Sequence, residues 1–230
     1  MNIRVVGLVL IILVFTLVSG VMSYSVSSGL TLKEAYNGGK ISVVQETAAG
    51  TVPHQVMITN NASKSVKVKK GDILASTISQ NLVIAEDKII ASNSNDTVKA
   101  YSLYPTPRAV VGAKLLPVNN TYAAVTKVVS SSNPSDSQSA INTQLEIWII
   151  TSEDNFNPYT GEPVSVVENN NVTWSQFVQD IANAKSDVMS TFNVTEGQIK
   201  NLNQTQSSSG LSTSWISSTI SQIKESLGIG

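Results

Sequence analysis

The chain has 230 residues, 13% of them charged, with no cysteine, one histidine and a formal net charge of −1 at pH 7. Without cysteine there are no disulfides, thiolate metal ligands or thiol nucleophiles, and one histidine alone does not make the usual zinc sets. A nearly neutral, sparsely charged chain offers no field for nucleic acid or anionic lipid headgroups, so nucleic acid is not expected as a partner; no cofactor is expected either.

The first element follows Arg4, where Val5–Val18 reads VVGLVLIILVFTLV with no charge. A basic end followed by an apolar stretch of this length is the pattern of a secretory signal. Ser19, Gly20 and Ser23 supply the small residues of a cleavage position, yet the uncharged stretch runs on past Ser23. About 20 such residues also span a bilayer as a helix. Residues 1–24 are therefore expected to be a signal peptide or an N-terminal membrane anchor. The basic residue holds that end inside, which places the remainder outside the cytoplasm, membrane-anchored or secreted.

Residues 30–170 are expected to form a mainly β domain, an antiparallel sandwich of immunoglobulin-like or small-barrel type. Apolar and β-branched residues alternate or cluster in KISVVQ (40–45), HQVMITN (54–60), SVKVKKGDIL (65–74), NLVIAEDKIIA (81–91), TVKAYSL (97–103), YAAVTKVV (122–129) and LEIWIIT (145–151). Turn formers separate them at intervals of about 10–15 residues, the spacing of sandwiches and barrels. LEIWII is nearly continuous and is expected to be a central strand. Past residue 170 the period changes. Trp174, Phe177, Val178, Ile181, Ala184, Val188, Met189 and Phe192 recur at helical spacing, and Thr173 with Gln176 and Thr195 with Gln198 have the form of capping boxes. Residues 171–202 are expected to be helical and packed on the sandwich, Trp174 included. Residues 203–210 read as a linker, and 211–230 as an amphipathic segment with Leu211, Trp215, Ile216, Ile220, Ile223 and Leu227 on one face.

Little in the chain carries catalytic chemistry. His54 follows Pro53 in a strand and reads as structural or surface-lying, and no G-x-S-x-G elbow accompanies any serine. The doublets Glu86-Asp87 and Glu153-Asp154 fall at strand ends and read as solvated loop carboxylates, not metal ligands. Six N-x-S/T acceptors, at Asn61, Asn95, Asn119, Asn171, Asn193 and Asn203, are candidate N-glycosylation sites if the chain meets that machinery.

Thr143, Gln144, Ile147 and Trp148 within INTQLEIWIIT resemble the TQ-x-A-I-W stretch of bacterial surface thioester domains, with Glu146 in the place of the small residue. Asn61-Ala-Ser63 through Gly71, followed by Gln80-Asn81-Leu82-Val83, is similar to a pattern in prokaryotic cell-surface β-sandwich domains. The thioester resemblance implies a glutamine on a strand joined to a cysteine that follows an aromatic residue. The matching position is Tyr101-Ser102, so serine stands in the place of cysteine. A hydroxyl is a poorer nucleophile and leaving group than a thiol, so the stored electrophile of a thioester is absent. An internal ester between Ser102 and Gln144 would need a base and a polarised amide carbonyl. The expectation is therefore that Ser102 and Gln144 either share an unreacted hydrogen bond or make no contact, in a non-enzymatic surface domain for adhesion or envelope assembly. Its expected partners are the membrane, through the N-terminal helix, and cell-surface proteins or glycans. A ligand-binding or sensing ectodomain is the alternative, and an autocatalytic Ser-Gln crosslink the minor one. In the stretch after Ser102, Pro105 and Pro107 stiffen a corner, and Arg108 is expected to pin it to a carbonyl or carboxylate.

Overall fold

The computed structural model describes residues 29–119, 122–152, 156–170 and 172–204. Among these residues nine strands form two sheets, and a helical layer covers one face of the larger sheet. Strands β2 (Ile41–Gln45), β3 (His54–Asn60), β5 (Ile73–Ala75), β6 (Leu82–Ile84), β8 (Ser94–Ser102) and β9 (Leu116–Val118) make the larger sheet, in the order β2-β3-β8-β6-β5-β9. All its pairings are antiparallel. The smaller sheet runs β1 (Leu30–Thr31), β4 (Val66–Val68), β7 (Lys88–Ile90), with β1 parallel to β4.

The larger sheet curls until its edges nearly meet. The segment before β9 runs along β2, where Gln45 N–H donates to the Ala113 carbonyl and Leu115 N–H to that of Val43, each at 2.9 Å. A few residues on, the same segment becomes β9 and pairs with β5. Edge strands are thereby covered, which removes the unpaired backbone groups that an open sheet exposes. Inside the curl, Val43, Val56, Ile58, Leu74, Leu82, Ile84 and Val98 form one core with Leu32 and Ala35 of helix α1 (Leu32–Asn37). Thr31 caps that helix through a complete capping box with Glu34. The alternate residues Ile73, Val83, Tyr101 and Leu103 face the opposite way, into a second core beneath the helices. With both faces covered, β5 and β6 are buried at every position and read as continuous apolar runs.

Two segments expected as strands are helices. Residues 122–129 lie mostly in α2 (Ala123–Ser131), and 145–151 in α3 (Ser137–Ser152). Ala124, Val125, Val128 and Val129 are buried at one- and four-residue steps, a helical stripe despite the β-branched content. Helix α3 buries Ala140, Gln144, Ile147, Trp148 and Thr151 toward the sheet and its neighbours, and almost every position from Thr143 to Thr151 is covered. A segment buried on all sides loses its periodicity, and helix and strand then look alike in sequence. The body is mainly β with a substantial helical layer, so the strand-built domain expected from 30 to 170 ends its strands at β9.

Helix α4 (Glu162–Asn169) follows Gly161, whose φ is +69°; a Cβ there would lie 2.3 Å from the Pro105 carbonyl oxygen. Helix α5 (Trp174–Phe192) begins at Thr173, whose hydroxyl accepts the Gln176 N–H at 3.2 Å, and ends at left-handed Asn193. It buries Phe177, Asp180, Ala184 and Val188 and packs on α3, so α3 lies between it and the sheet. Trp174 lies outside this stripe: it is 38% exposed, a surface residue where a core position was expected. Thr195 and Gln198 do form a capping box, over a single 3₁₀ turn, Glu196–Gln198, before the short α6 (Asn201–Gln204). No helix among the described residues is long and apolar enough to cross a membrane. The N-terminal stretch 1–24 and the C-terminal segment 211–230 lie outside the described residues, as does all but the first two residues of the linker 203–210.

Candidate functional site

Ser102 ends β8 and pairs with Leu82 on the β6 side. On its other side β3 has already stopped, since the β3–β8 register begins at His54 opposite Ala100, after Pro53. Proline has no N–H to continue the ladder. Gln144 of α3 takes over. Its Oε1 accepts the Ser102 N–H at 2.8 Å, and its Nε2 donates to the Ser102 carbonyl at 2.7 Å. The carboxamide, 1% exposed, thus imitates the peptide group of a missing strand residue. One and two turns further on, Trp148 Nε1–H points to Ser102 Oγ at 3.3 Å and Thr151 Oγ1 donates to the Leu103 carbonyl at 2.7 Å. The i, i+4, i+7 face of α3 therefore docks on the last residues of β8.

Ser102 and Gln144 meet, but through the serine's backbone. The Ser102 hydroxyl donates to the Tyr104 carbonyl at 2.5 Å. Tyr101, just before it, is buried, which pushes its phenol up, while its hydroxyl bonds Ser132 Oγ at 2.5 Å. Gln144 sits on a helix, which corrects the strand that the thioester resemblance implied: α3 is long enough to lay a side chain along the sheet end, where a strand would need the space β3 vacates. The corner that follows is pinned as expected, with Arg108 Nε donating to the Gly161 carbonyl at 3.0 Å.

A second polar cluster, unforeseen as such, centres on His54. The ring is fully buried, not at the surface. Nε2 lies 3.3 Å from Glu162 Oε1 and 2.6 Å from the Gln80 amide; Nδ1 lies 3.1 Å from Thr47 Oγ1 and 3.3 Å from Gln45 Nε2. None of these partners is Ser102. Glu162, also without exposure, accepts the Gly50 N–H at 2.6 Å and the Ala109 N–H at 3.1 Å. The loop reaches it only because residue 50 is glycine, with φ +82°; a Cβ there would fall 2.2 Å from the Ser165 carbonyl oxygen. Gln45 and Thr47 leave β2 toward the same side that His54 faces from β3, a hairpin juxtaposition readable from the strand pairing. Nothing local marks Glu162, which arrives from a distant helix.

Among the described residues no group of acidic or imidazole side chains is arranged to hold a metal ion. Glu86 and Asp87 accept the backbone N–H groups of Lys99 and Lys70, so they tie turns together, and Glu153 and Asp154 lie outside the described residues. Of the glycosylation acceptors, Asn61, Asn95, Asn119 and Asn193 are exposed. Asn171 is outside the described residues, and Asn203 is placed only as part of α6. Comparison with family models, curated proteins and solved structures found no match to this chain.

Proposed function

We propose that this chain is a non-enzymatic surface module working outside the cytoplasm, a barrel-like relative in kind of the surface β-domains it resembles, delivered and tethered or released through residues 1–24. The carrying observation is the state of Ser102 and Gln144. The carboxamide is committed to the Ser102 backbone, and the hydroxyl to the Tyr104 carbonyl, with no base among its bonded partners. That arrangement supports a site that braces the end of the sheet and works by contact, with adhesion or envelope assembly as its role and cell-surface proteins or glycans as its partners. An unlinked Ser102–Gln144 pair predicts an intact mass with no ammonia loss; a deficit of about 17 Da mapped to these two residues would favour the autocatalytic crosslink instead. Surface placement is tested by treating intact and lysed cells with protease. Resistance in intact cells like that of cytosolic controls, with digestion only after lysis, would sink the reading.

One observation favours a ligand-binding ectodomain as the second reading. Tyr159 and Trp174 stack at 5.0 Å between centroids, and they are 62% and 38% exposed. Exposed paired rings, inclined to each other by 36°, offer an apolar surface with polar edges on which a ligand can pack. Loss of ligand or glycan binding in Tyr159→Ala with retained folding would move the assignment to this reading.

A further inference from the structure

The cluster around His54 has the connectivity of a base-activated nucleophile, and the hydrogen positions follow from its partners. Nε2 lies 3.3 Å from the Glu162 carboxylate, which accepts only, and a hydrogen placed on Nε2 suits that neighbour. The Gln80 amide nitrogen 2.6 Å from the same atom is then in the wrong place, while Gln80 Oε1 has no partner. Turning the carboxamide end for end sets its oxygen on the Nε2–H. In this tautomer Nδ1 presents a lone pair, toward which the Thr47 hydroxyl and Gln45 Nε2 both point. Gln55 N–H occupies one acceptor position of Thr47 Oγ1 at 2.9 Å, which leaves the hydroxyl hydrogen for Nδ1. Carboxylate, imidazole and hydroxyl thus follow one another at 3.3 and 3.1 Å, from the fully buried Glu162 and His54 out to the half-buried Thr47. A relay of this kind is recognised by geometry and roles, not by chain order or fold.

We propose that Thr47 is an acyl-acceptor nucleophile, with His54 as its general base and Glu162 as the residue that positions the imidazole. The co-reactant is an activated ester. As Thr47 Oγ1 forms its bond to the carbonyl carbon, its proton passes to His54 Nδ1. The ester C–O bond then breaks, and the departing oxygen takes that proton, leaving acyl-threonine and an alcohol or phenol. This goes beyond the contact function proposed above and does not depend on it, because Ser102 and Gln144 take no part.

The test exposes the purified full chain to p-nitrophenyl acetate and maps the modified peptides by mass spectrometry. The expected result is one added acetyl group, about 42 Da, on Thr47. His54→Gln should slow that labelling by about 100-fold or more, the usual range for losing a general base. Thr47→Ser should still be labelled. Circular dichroism in the aromatic region verifies that each variant is folded. An unmodified Thr47 in the folded wild type overturns the proposal however the variants behave. So does labelling at an equal rate in folded His54→Gln, since a merely structural histidine leaves that rate unchanged.

Discussion

Replacing Gln144 with leucine tests what the contact between α3 and β8 does. The side chain is buried, and leucine fills similar space, so the change removes two hydrogen bonds without opening a large cavity. It strands the Ser102 N–H and C=O in the place where β3 has ended. A buried polar group left without a partner costs about 1–3 kcal/mol, so the pair should cost about 2–6 kcal/mol. For a domain of this size each kcal/mol lowers Tm by about 2–4 °C. Ser102→Ala is the control. It removes one hydroxyl, which takes one bond from the Tyr104 carbonyl at a part-buried position and the long 3.3 Å bond of the buried Trp148 Nε1–H, for a loss of about 1–2 kcal/mol. Urea unfolding followed by tryptophan fluorescence measures both, with an unchanged slope as the check that the unfolded state is the same. The expected order is Gln144→Leu well below Ser102→Ala. A Gln144→Leu variant within about 0.5 kcal/mol of wild type would refute the strand-substitute role of the carboxamide, and equal losses from the two changes would point to the hydroxyl as its true partner.

Trp174→Ala should cost no more than about 1.5 kcal/mol, because the ring is partly exposed, whereas Phe177→Ala in the buried stripe should cost about 3–5 kcal/mol; chemical denaturation separates them. Burial first, and then the charge of Asp187, push the Glu146 carboxyl up to about 7. A carboxyl raised in the folded state is best accommodated while protonated, so this site's contribution is full below about pH 4.5 and is lost as pH rises through 7. Glu146→Gln should therefore match wild type near pH 4 and exceed it by about 1–2 kcal/mol at pH 8, a figure reduced for solvent screening, in melts run across that range. Gly50→Ala should destabilise severely and loosen α4, since both the positive φ and the 2.2 Å approach to Ser165 forbid a Cβ; proteolysis within the loop before β3 would report it, and a wild-type pattern would contradict the packing.

The half-exposed strands were the legible part of the fold. HQVMITN alternates buried and partly exposed positions along β3, and VKV does so in β4, because one face of each meets a core and the other meets water. The α5 stripe was legible for the same reason, except at Trp174 and Val178, which are both exposed. Trp174 is apolar by composition, yet it stacks on Tyr159 at the surface, which spacing alone does not disclose. At the candidate site, the residue types at Ser102 and Gln144 were available from the resemblance of their flanking motifs, but not the way they bind. A hydroxyl next to a carboxamide suggests side chain to side chain; the geometry is side chain to backbone, set by where β3 stops.

By itself the sequence determined that no thiol or disulfide chemistry operates here, that the body would be rich in strands, and that a helical stripe would begin after residue 170. Those are properties of residue type and local period. Tertiary structure alone decided that 123–131 and 137–152 are helices: 137–152 is covered on nearly every side and carries little period to read, and the β-branched content of 123–131 masks its helical stripe. It also decided that Glu162, far along the chain from His54, completes a buried polar cluster. Such partners are selected by which surfaces fold together, and a linear chain records no trace of that choice until Gly50 and Gly161 let the backbones approach.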